Sequence, residues 1–194
     1  MKEQKYNHIA NDGEAVTILR TTPYVGKAII SRFKGSYSDY AVQNRRQINL
    51  LLESNLAVGE VIQTASQSFL TLVSKPEVVQ GEEISIIAHG ILCNSTLTVT
   101  RDQPQYDEDG NLIGQTPVAV IEALPCHAIQ INGKMRETDV GLLPTTVMKT
   151  YLTSADGLIN GDKAQVFGND YRVDDINFAE YPGVMTLQLS VWAG

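Results

Sequence analysis

Four side chains of the sequence are soft metal ligands that could form a zinc site: His89, Cys93, Cys126 and His127. Structural zinc sites are normally built from two close ligand pairs such as Cys-x-x-Cys. Here Cys126 and His127 are adjacent, so in a strand they point to opposite faces. Gly90 disfavours a helix that would bring His89 and Cys93 together. We therefore expect no bound metal, and two unpaired cysteines in a reducing compartment.

Carboxylates form two dense groups that could serve a hydrolase or a calcium site. The stretch Asp107-Glu108-Asp109-Gly110-Asn111 lacks the spacing of a calcium-binding EF-hand loop, and Asp174-Asp175 stands alone. The motifs Gly-x-Ser-x-Gly and Gly-x-x-x-x-Gly-Lys do not occur. The sequence predicts no catalytic residues, no cofactor and no enzyme activity. A hydrolase that uses the acidic loops is a lower-ranked hypothesis.

Basic and aromatic side chains gather in one segment, which the sequence predicts to be a long loop. Its members are Arg32, Phe33, Lys34, Tyr37, Tyr40, Arg45 and Arg46. Tyr and Arg are enriched at the energetic centres of protein interfaces, and single-stranded nucleic acid would be bound by the same residue types. We interpret the segment as an interface loop that docks onto an acidic partner. A solvated loop is the alternative.

The composition is that of a globular protein with a negative net charge. Hydrophobic residues make up 43% and charged residues 19% of the chain. The net charge is −7, from 15 Lys and Arg against 22 Asp and Glu, which argues against a general nucleic-acid binder. No apolar run is long enough to span a bilayer, and residues 1–6 contain no apolar signal region. We expect a protein that is made in a cytoplasm and is not associated with a membrane.

The elements that must position these side chains occur in two copies. Several matches share an offset of 102 residues: Val16–Leu19 with Val118–Ile121, Pro23 with Pro125, Ile29 with Ile131, Gly59-Glu60 with Gly161-Asp162, and Phe69 with Tyr171. Near the end of each copy, Thr96–Val99 parallels Thr186–Leu189 at an offset of 90. Matches in one order at one offset indicate a tandem duplication.

Strand signals agree with this duplication. Apolar and polar residues alternate in Val16-x-Ile18, Leu97-x-Val99 and Leu187-x-Leu189, and Gly168-Asn169-Asp170 is typical of a tight turn. We predict an all-β chain of two tandem small barrels or sandwiches with long loops and little helix. The predicted domains are 1–105 and 117–194, with a hairpin or linker over 106–116. Residues 133–144, which contain Gly141 and Pro144, are predicted to be a loop.

The second copy resembles the small β-barrel neck proteins of tailed bacteriophages, called head–tail connector, head-closure or tail-completion proteins. The resemblance rests on a glycine-acid turn and strand (Gly161–Phe167), a tight turn (Gly168–Asp170), an aromatic-x-Val strand (Tyr171–Ile176) and a closing strand after Tyr181-Pro182-Gly183. It covers about the last third of the chain. The tandem duplication departs from the single-barrel members of that group.

The resemblance implies a structural virion protein that forms a homo-oligomeric ring in the neck, between the portal and the tail. It implies contacts with portal or adaptor and tail proteins, and DNA only as cargo that passes through the lumen. The alternative is a duplicated β-barrel binding module for peptide or carbohydrate, for example a tail or baseplate accessory protein.

Overall fold

The computed structural model describes residues 2–33 and 44–193 of a chain that consists mostly of strands. The chain divides into two compact units, Met1–Cys93 with Ala179–Val184, and Asn94–Phe178 with Met185–Gly194. None of the helices among the described residues is both long enough and apolar enough to cross a membrane.

The first unit contains a closed six-stranded barrel with strand order β1-β2-β3-β6-β5-β4. A helix, α1 (Lys2–Asp12), precedes it. The strands are β1 (Glu14–Leu19), β2 (Tyr24–Arg32), β3 (Arg45–Leu50), β4 (Val61–Gln63), β5 (Ser68–Val79) and β6 (Glu82–Leu92), and a 3-10 turn lies at Leu52–Ser54. The pairing of β1 with β4 closes the barrel.

The second unit contains another closed six-stranded barrel, with strand order β7-β8-β9-β12-β11-β10. Its strands are β7 (Ser95–Tyr106), β8 (Leu112–Gln130), β9 (Met148–Thr153), β10 (Lys163–Val166), β11 (Asn169–Tyr181) and β12 (Val184–Val191), and a short helix, α2 (Gly133–Thr138), lies between β8 and β9. The strand connectivity repeats that of the first barrel strand for strand. The predicted all-β fold of two tandem barrels is confirmed.

The core of each barrel is formed by the residues that point inward, which are every second residue along a strand. In β9 the burial pattern alternates strictly, with Met148, Thr150 and Leu152 buried. In β3 the same alternation buries Ile48 and Leu50. This two-residue period is what turns the apolar pattern of the sequence into one core for each barrel.

A salt bridge recurs at the same place in both barrels. In the second unit, Nε of Arg101 donates to Oδ1 of Asp162 at 2.7 Å and Nη2 donates to Oδ2 at 2.8 Å. Nη2 also donates to the carbonyl of Gly157 at 2.6 Å. The side chain of Asp162 is 1% exposed, and its Oδ2 accepts the main-chain N–H of Ile159 at 2.9 Å. Such a fork-shaped contact is geometrically specific as well as charge-assisted.

The first unit has the corresponding contacts. Arg20 donates through Nη1 to Oε1 of Glu60 at 3.4 Å and through Nη2 to the carbonyl of Ser54 at 2.9 Å. Oε2 of Glu60 accepts the N–H of Ala57 at 2.8 Å. We call the Arg20–Glu60 and Arg101–Asp162 pairs, with the loops that they hold, the carboxylate clamps.

The residue before each clamp carboxylate is a glycine in the left-handed region, Gly59 at φ +87° and Gly161 at φ +97°. A side chain there would strain the backbone. The glycine N–H donates to the main-chain carbonyl of Thr71 in the first unit, at 2.8 Å, and to that of Val173 in the second, at 2.7 Å. The predicted match of Gly59-Glu60 with Gly161-Asp162 is thus the same local structure in two copies.

The predicted domain boundary is wrong. Residues 95–106 form β7, which pairs with β8 and β10, so this strand opens the second barrel and does not close the first. Residues 106–116 form the tip of the β7–β8 hairpin and do not link the two domains. The division falls between Cys93 and Asn94. Alternation alone does not tell which barrel a strand joins.

The predicted pairing of Val16–Leu19 with Val118–Ile121 is also wrong, because β1 corresponds in connectivity to β7. Val16 and Ile18 of β1 are buried, as are Leu97 and Val99 of β7. The parallel between Thr96–Val99 and Thr186–Leu189 fails for the same reason.

Two helices were not expected from the sequence. Helix α1 buries Ile9 completely but is otherwise polar, so its periodicity is weak. Residues 133–138, predicted to be loop, form α2, and the side chain of Asn132 caps it by accepting the N–H of Met135 at 3.0 Å. A capping Asn satisfies one of the unpaired donors of the first turn.

We predict that Asp162→Ala lowers the free energy of unfolding of the second barrel by about 1–3 kcal/mol, because the N–H of Ile159 loses its acceptor. Trp192 is the only tryptophan of the chain and lies in the second unit, so its fluorescence in a urea titration reports that barrel. The control is Asp156→Ala, which removes an exposed carboxylate six residues earlier, with an expected change of less than about 0.5 kcal/mol. Equal effects of the two variants would contradict the proposed role of the clamp.

Candidate functional site

The structure places the predicted interface loop partly on strands. Arg32 is the last residue of β2 and Phe33 follows it, while Arg45 and Arg46 open β3. These two arginines therefore lie in the barrel wall and not in a loop, because β3 begins earlier than its apolar residues suggest. Three further predicted residues, Lys34, Tyr37 and Tyr40, lie outside the described residues.

The described members of the segment lie together at one end of the β2–β3–β6–β5 wall. Arg32 pairs in register with Arg46, and Arg45 with Ile91 of β6. The ring of Phe33 lies edge-on to the ring of His89, with 4.6 Å between the ring centres. We call this group the basic cluster; its members are Arg32, Phe33, Arg45, Arg46, His89 and Lys75 of β5. By the two-residue alternation of the strands, Arg45, His89 and Lys75 lie on the outer face of the wall, whereas Arg46 and its register partner Arg32 lie on the side of buried Ile48, at the end of the barrel.

The electrostatics of the basic cluster are visible at His89. Its pKa is lowered, first by partial burial and then by the positive charges of Lys75 and Arg45. Strands β2 and β3 contain no Asp or Glu, and Glu77, on the same strand as Lys75, is paired with Lys5 at 2.8 Å. Such a concentration of cations attracts carboxylates or phosphates.

The four soft metal ligands do not form a metal site. Within residues 2–33 and 44–193 no group of three or more His, Cys, Asp or Glu could hold a metal ion. Cys126 is part of the second core, and His127, next to it in β8, packs on the other face near Tyr151, with 6.4 Å between ring centres. Both cysteines are free, and burial raises the pKa of the Cys93 thiol to about 12.

The carboxylates of Asp174 and Asp175 have structural partners. Oδ2 of Asp174 accepts the hydroxyl of Thr145 at 3.0 Å, and Oδ2 of Asp175 accepts Nε2 of Gln188 at 3.2 Å. Oε1 of the same Gln188 accepts the N–H of Leu143 and the hydroxyl of Thr146, both at 2.8 Å. This arrangement ties the excursion between β8 and β9 to the barrel wall.

A second surface feature, which we call the β-arm, consists of residues 102–117. Strand β10 pairs with β7 only through Leu97–Thr100, and β9 pairs with β8 only through Cys126–Gln130. Beyond these positions β7 and β8 pair with each other, from Asp102–Pro117 to Tyr106–Leu112. At the usual rise per residue the ribbon extends about 17 Å past the barrel.

The surface of the β-arm combines apolar and acidic side chains. Tyr106, Leu112 and Ile113 are 60%, 60% and 65% exposed. The arm carries four carboxylates and no Lys or Arg: Asp102, Asp107, Glu108 and Asp109. Exposed apolar groups of this size next to charged ones are typical of a docking surface.

The turn at the tip of the β-arm is held by Asp107. Its Oδ1 accepts the N–H groups of Asp109 at 3.0 Å and Asn111 at 2.7 Å, and these main-chain bonds, that from Asn111 first, lower the pKa of Asp107. Gly110 takes φ +82°. The turn is therefore preformed at neutral pH.

Sequence reasoning recognised this turn but not the arm around it. The signal that was available is the pair of prolines, Pro104 and Pro117, one on each strand. Proline within a strand pattern is typical of edge strands that no neighbour joins.

Comparison with protein-family models, with curated proteins and with solved structures gave no match in any of the three.

We predict that neither thiol of the native protein reacts at an ordinary rate with a disulfide reagent at pH 8. A thiol with a pKa of about 12 is ionised in roughly one molecule in ten thousand at that pH, and Cys126 is sealed in the core. Labelling of the native protein should be slower than labelling in urea by on the order of a thousandfold. On unfolding, both thiols should react. Rapid labelling of a native thiol would contradict the burial of Cys93.

We also predict that NMR titration of His89 gives a pKa below the ordinary value of 6.5, and that Lys75→Glu raises it. Just below pH 6.5 the imidazole of His89 is still neutral in the folded protein, whereas in the unfolded chain it already binds a proton. The native state is therefore destabilised as the pH falls below 6.5. Lys134→Glu on the second unit is the control and should leave the His89 titration unchanged. If Lys75→Glu leaves the pKa of His89 unchanged, Lys75 does not act on His89 and does not belong to the cluster.

Proposed function

We propose that the protein is a structural component of a tailed-phage virion that forms a homo-oligomeric ring in the neck, between portal and tail. In this function it is made in the host cytoplasm and then incorporated into the particle. Its partners are other copies of itself, portal or adaptor proteins, and tail proteins. DNA passes through the lumen of the ring without being held, and the protein performs no reaction.

The observation that carries the proposal is the β-arm. An isolated two-stranded ribbon is at best marginally stable in water, and this one presents large apolar side chains to solvent along with its acidic groups. Such a ribbon is stabilised when a neighbouring molecule in an assembly covers its apolar side chains. Closed barrels with projecting ribbons suit a ring, because each rigid body presents one reaching element to the next.

The charge of the chain supports the same function. A surplus of seven negative charges repels a polyanion, so a lumen lined by this protein would let DNA slide. The duplication supports it as well, because a ring of barrels needs half as many chains when each chain supplies two.

A second candidate function is that of a binding module for peptide or carbohydrate. It is favoured by an open depression on the second unit lined by Gly161, Arg172, Ser190, Val191, Trp192 and Ala193. Lys163 lies over the Trp192 ring, with 5.8 Å between Nζ and the ring centre. The depression is partly open to solvent, and Lys163 occupies a position over its aromatic side chain.

We predict that the purified chain assembles into rings as its concentration rises, or when it is expressed together with its portal or tail partners. Multi-angle light scattering measures the mass, and negative-stain electron microscopy shows whether the particles are annular. Duplex DNA added to the particles should not be retarded in a gel. A chain that stays monomeric throughout, including with the partner proteins, would contradict the ring and favour the binding module.

A further inference from the structure

We propose that the β-arm of one copy docks onto the basic cluster of a second copy of this chain, so that copies associate head to tail. This inference rests on the proposed self-assembly and specifies the contact that produces it. The two surfaces carry opposite charges: four carboxylates on the arm, and on the cluster Arg45 and Lys75 on the outer face, with Arg32 and Arg46 beside them at the end of the barrel.

The occupant of the basic cluster is argued from the distribution of charge along the chain. Residues 24–50 contain five Lys and Arg and a single carboxylate, Asp39. In the β-arm every charged side chain is a carboxylate. The chain as a whole is acidic, so the cluster is a local reversal of its sign. Opposite patches on one polypeptide are complementary to each other in two copies, and such complementarity sets orientation and encounter rate.

Large apolar side chains accompany the charges on both surfaces. Phe33 packs on His89 within the cluster, and Tyr106, Leu112 and Ile113 flank the acidic turn of the arm. Burying three such side chains supplies affinity that charge alone does not. The cluster is thus suited to a partner that is acidic and apolar at once, as the arm is.

Other self-pairings fit less well. Two arms placed side by side would bring four carboxylates against four, which is repulsive. Strand addition along the arm is hindered by Pro104 and Pro117, which lack the N–H that a joining strand would need. A heterologous contact between side chains remains, and it closes into a ring when the rotation between neighbours allows.

The arm is organised for docking before a partner arrives. Asp107 holds the turn through two main-chain N–H groups and the side chain of Asn111, whose Nδ2 lies 3.1 Å from Oδ2. A preformed turn loses less conformational entropy on binding. Glu108 and Asp109, at the same tip, are exposed and available to a partner.

Two variants of the full chain, each defective in one surface, test the contact. The arm variant is Glu108→Lys with Asp109→Lys, which spares the turn-forming Asp107. The cluster variant is Arg32→Glu with Lys75→Glu, both of which are exposed. Circular dichroism and Trp192 fluorescence show that each is folded, and sedimentation velocity at low and high ionic strength measures the association of each alone and of the two mixed.

Wild-type association should weaken as salt is added, and each variant alone should associate at least about tenfold more weakly than wild type. The mixture should form pairs and stop there. The intact arm of the cluster variant docks onto the intact cluster of the arm variant, and each remaining surface is defective. A matched control, Glu137→Lys with Asp156→Lys, makes the same change of charge at exposed positions of the second unit outside the arm and should associate as wild type does.

Three results would overturn the inference. If the wild type assembles and both variants assemble equally well, the arm contact fails while the proposed ring stands. If the mixture stays monomeric, the two surfaces do not bind each other. If the wild type itself stays monomeric at every concentration and with its partners, the proposed function and this contact fail together.

Discussion

Each barrel is closed by one short strand pairing, β1 with β4 in the first and β7 with β10 in the second. We call this pairing the seam; its few hydrogen bonds alone hold it weakly. The strands on one side of the seam, β4 and β10, are three and four residues long, so the ladder that joins them to β1 and β7 is short. The carboxylate clamps lie at this seam. Arg20 follows β1 and Glu60 precedes β4. In the second barrel, Arg101 lies within β7, one residue after the last pairing with β10, and Asp162 precedes β10. An ionic contact at the end of a short ladder, fork-shaped for Arg101 and single for Arg20, favours the register that the ladder alone leaves weakly determined.

The two copies differ most at the first hairpin. In the first barrel β1 ends at Leu19 and β2 begins at Tyr24, so the connection is short. In the second barrel the equivalent strands run on past the barrel as the β-arm, which makes the arm an elaboration of one copy only. Charge follows the same division, with cations on the second and third strands of the first copy and carboxylates on the arm of the second. Two barrels of the same connectivity thus carry two unlike surfaces.

The sequence predicted the fold class because alternation with a period of two is written directly into β1, β7 and β12. It matched Gly59-Glu60 with Gly161-Asp162, where backbone conformation demands glycine, but it did not predict that these carboxylates pair with Arg20 and Arg101. It misplaced the boundary because strand pairing is nonlocal, and Leu97-x-Val99 has the same pattern in either barrel. It missed α1 because a helix held by one buried side chain, Ile9, has almost no apolar stripe. The basic segment was recognised by composition, but its place on β3 depends on the pairing of Arg45 and Arg46 with other strands.

Closure of both barrels has a consequence for behaviour at high concentration. Within the closed part of each barrel no strand edge is free to act as a template for the strand-to-strand aggregation that threatens open β-proteins, and the prolines of the β-arm hinder such pairing along that ribbon. The walls of the closed barrels therefore offer no strand edge on which amyloid-like stacks could grow.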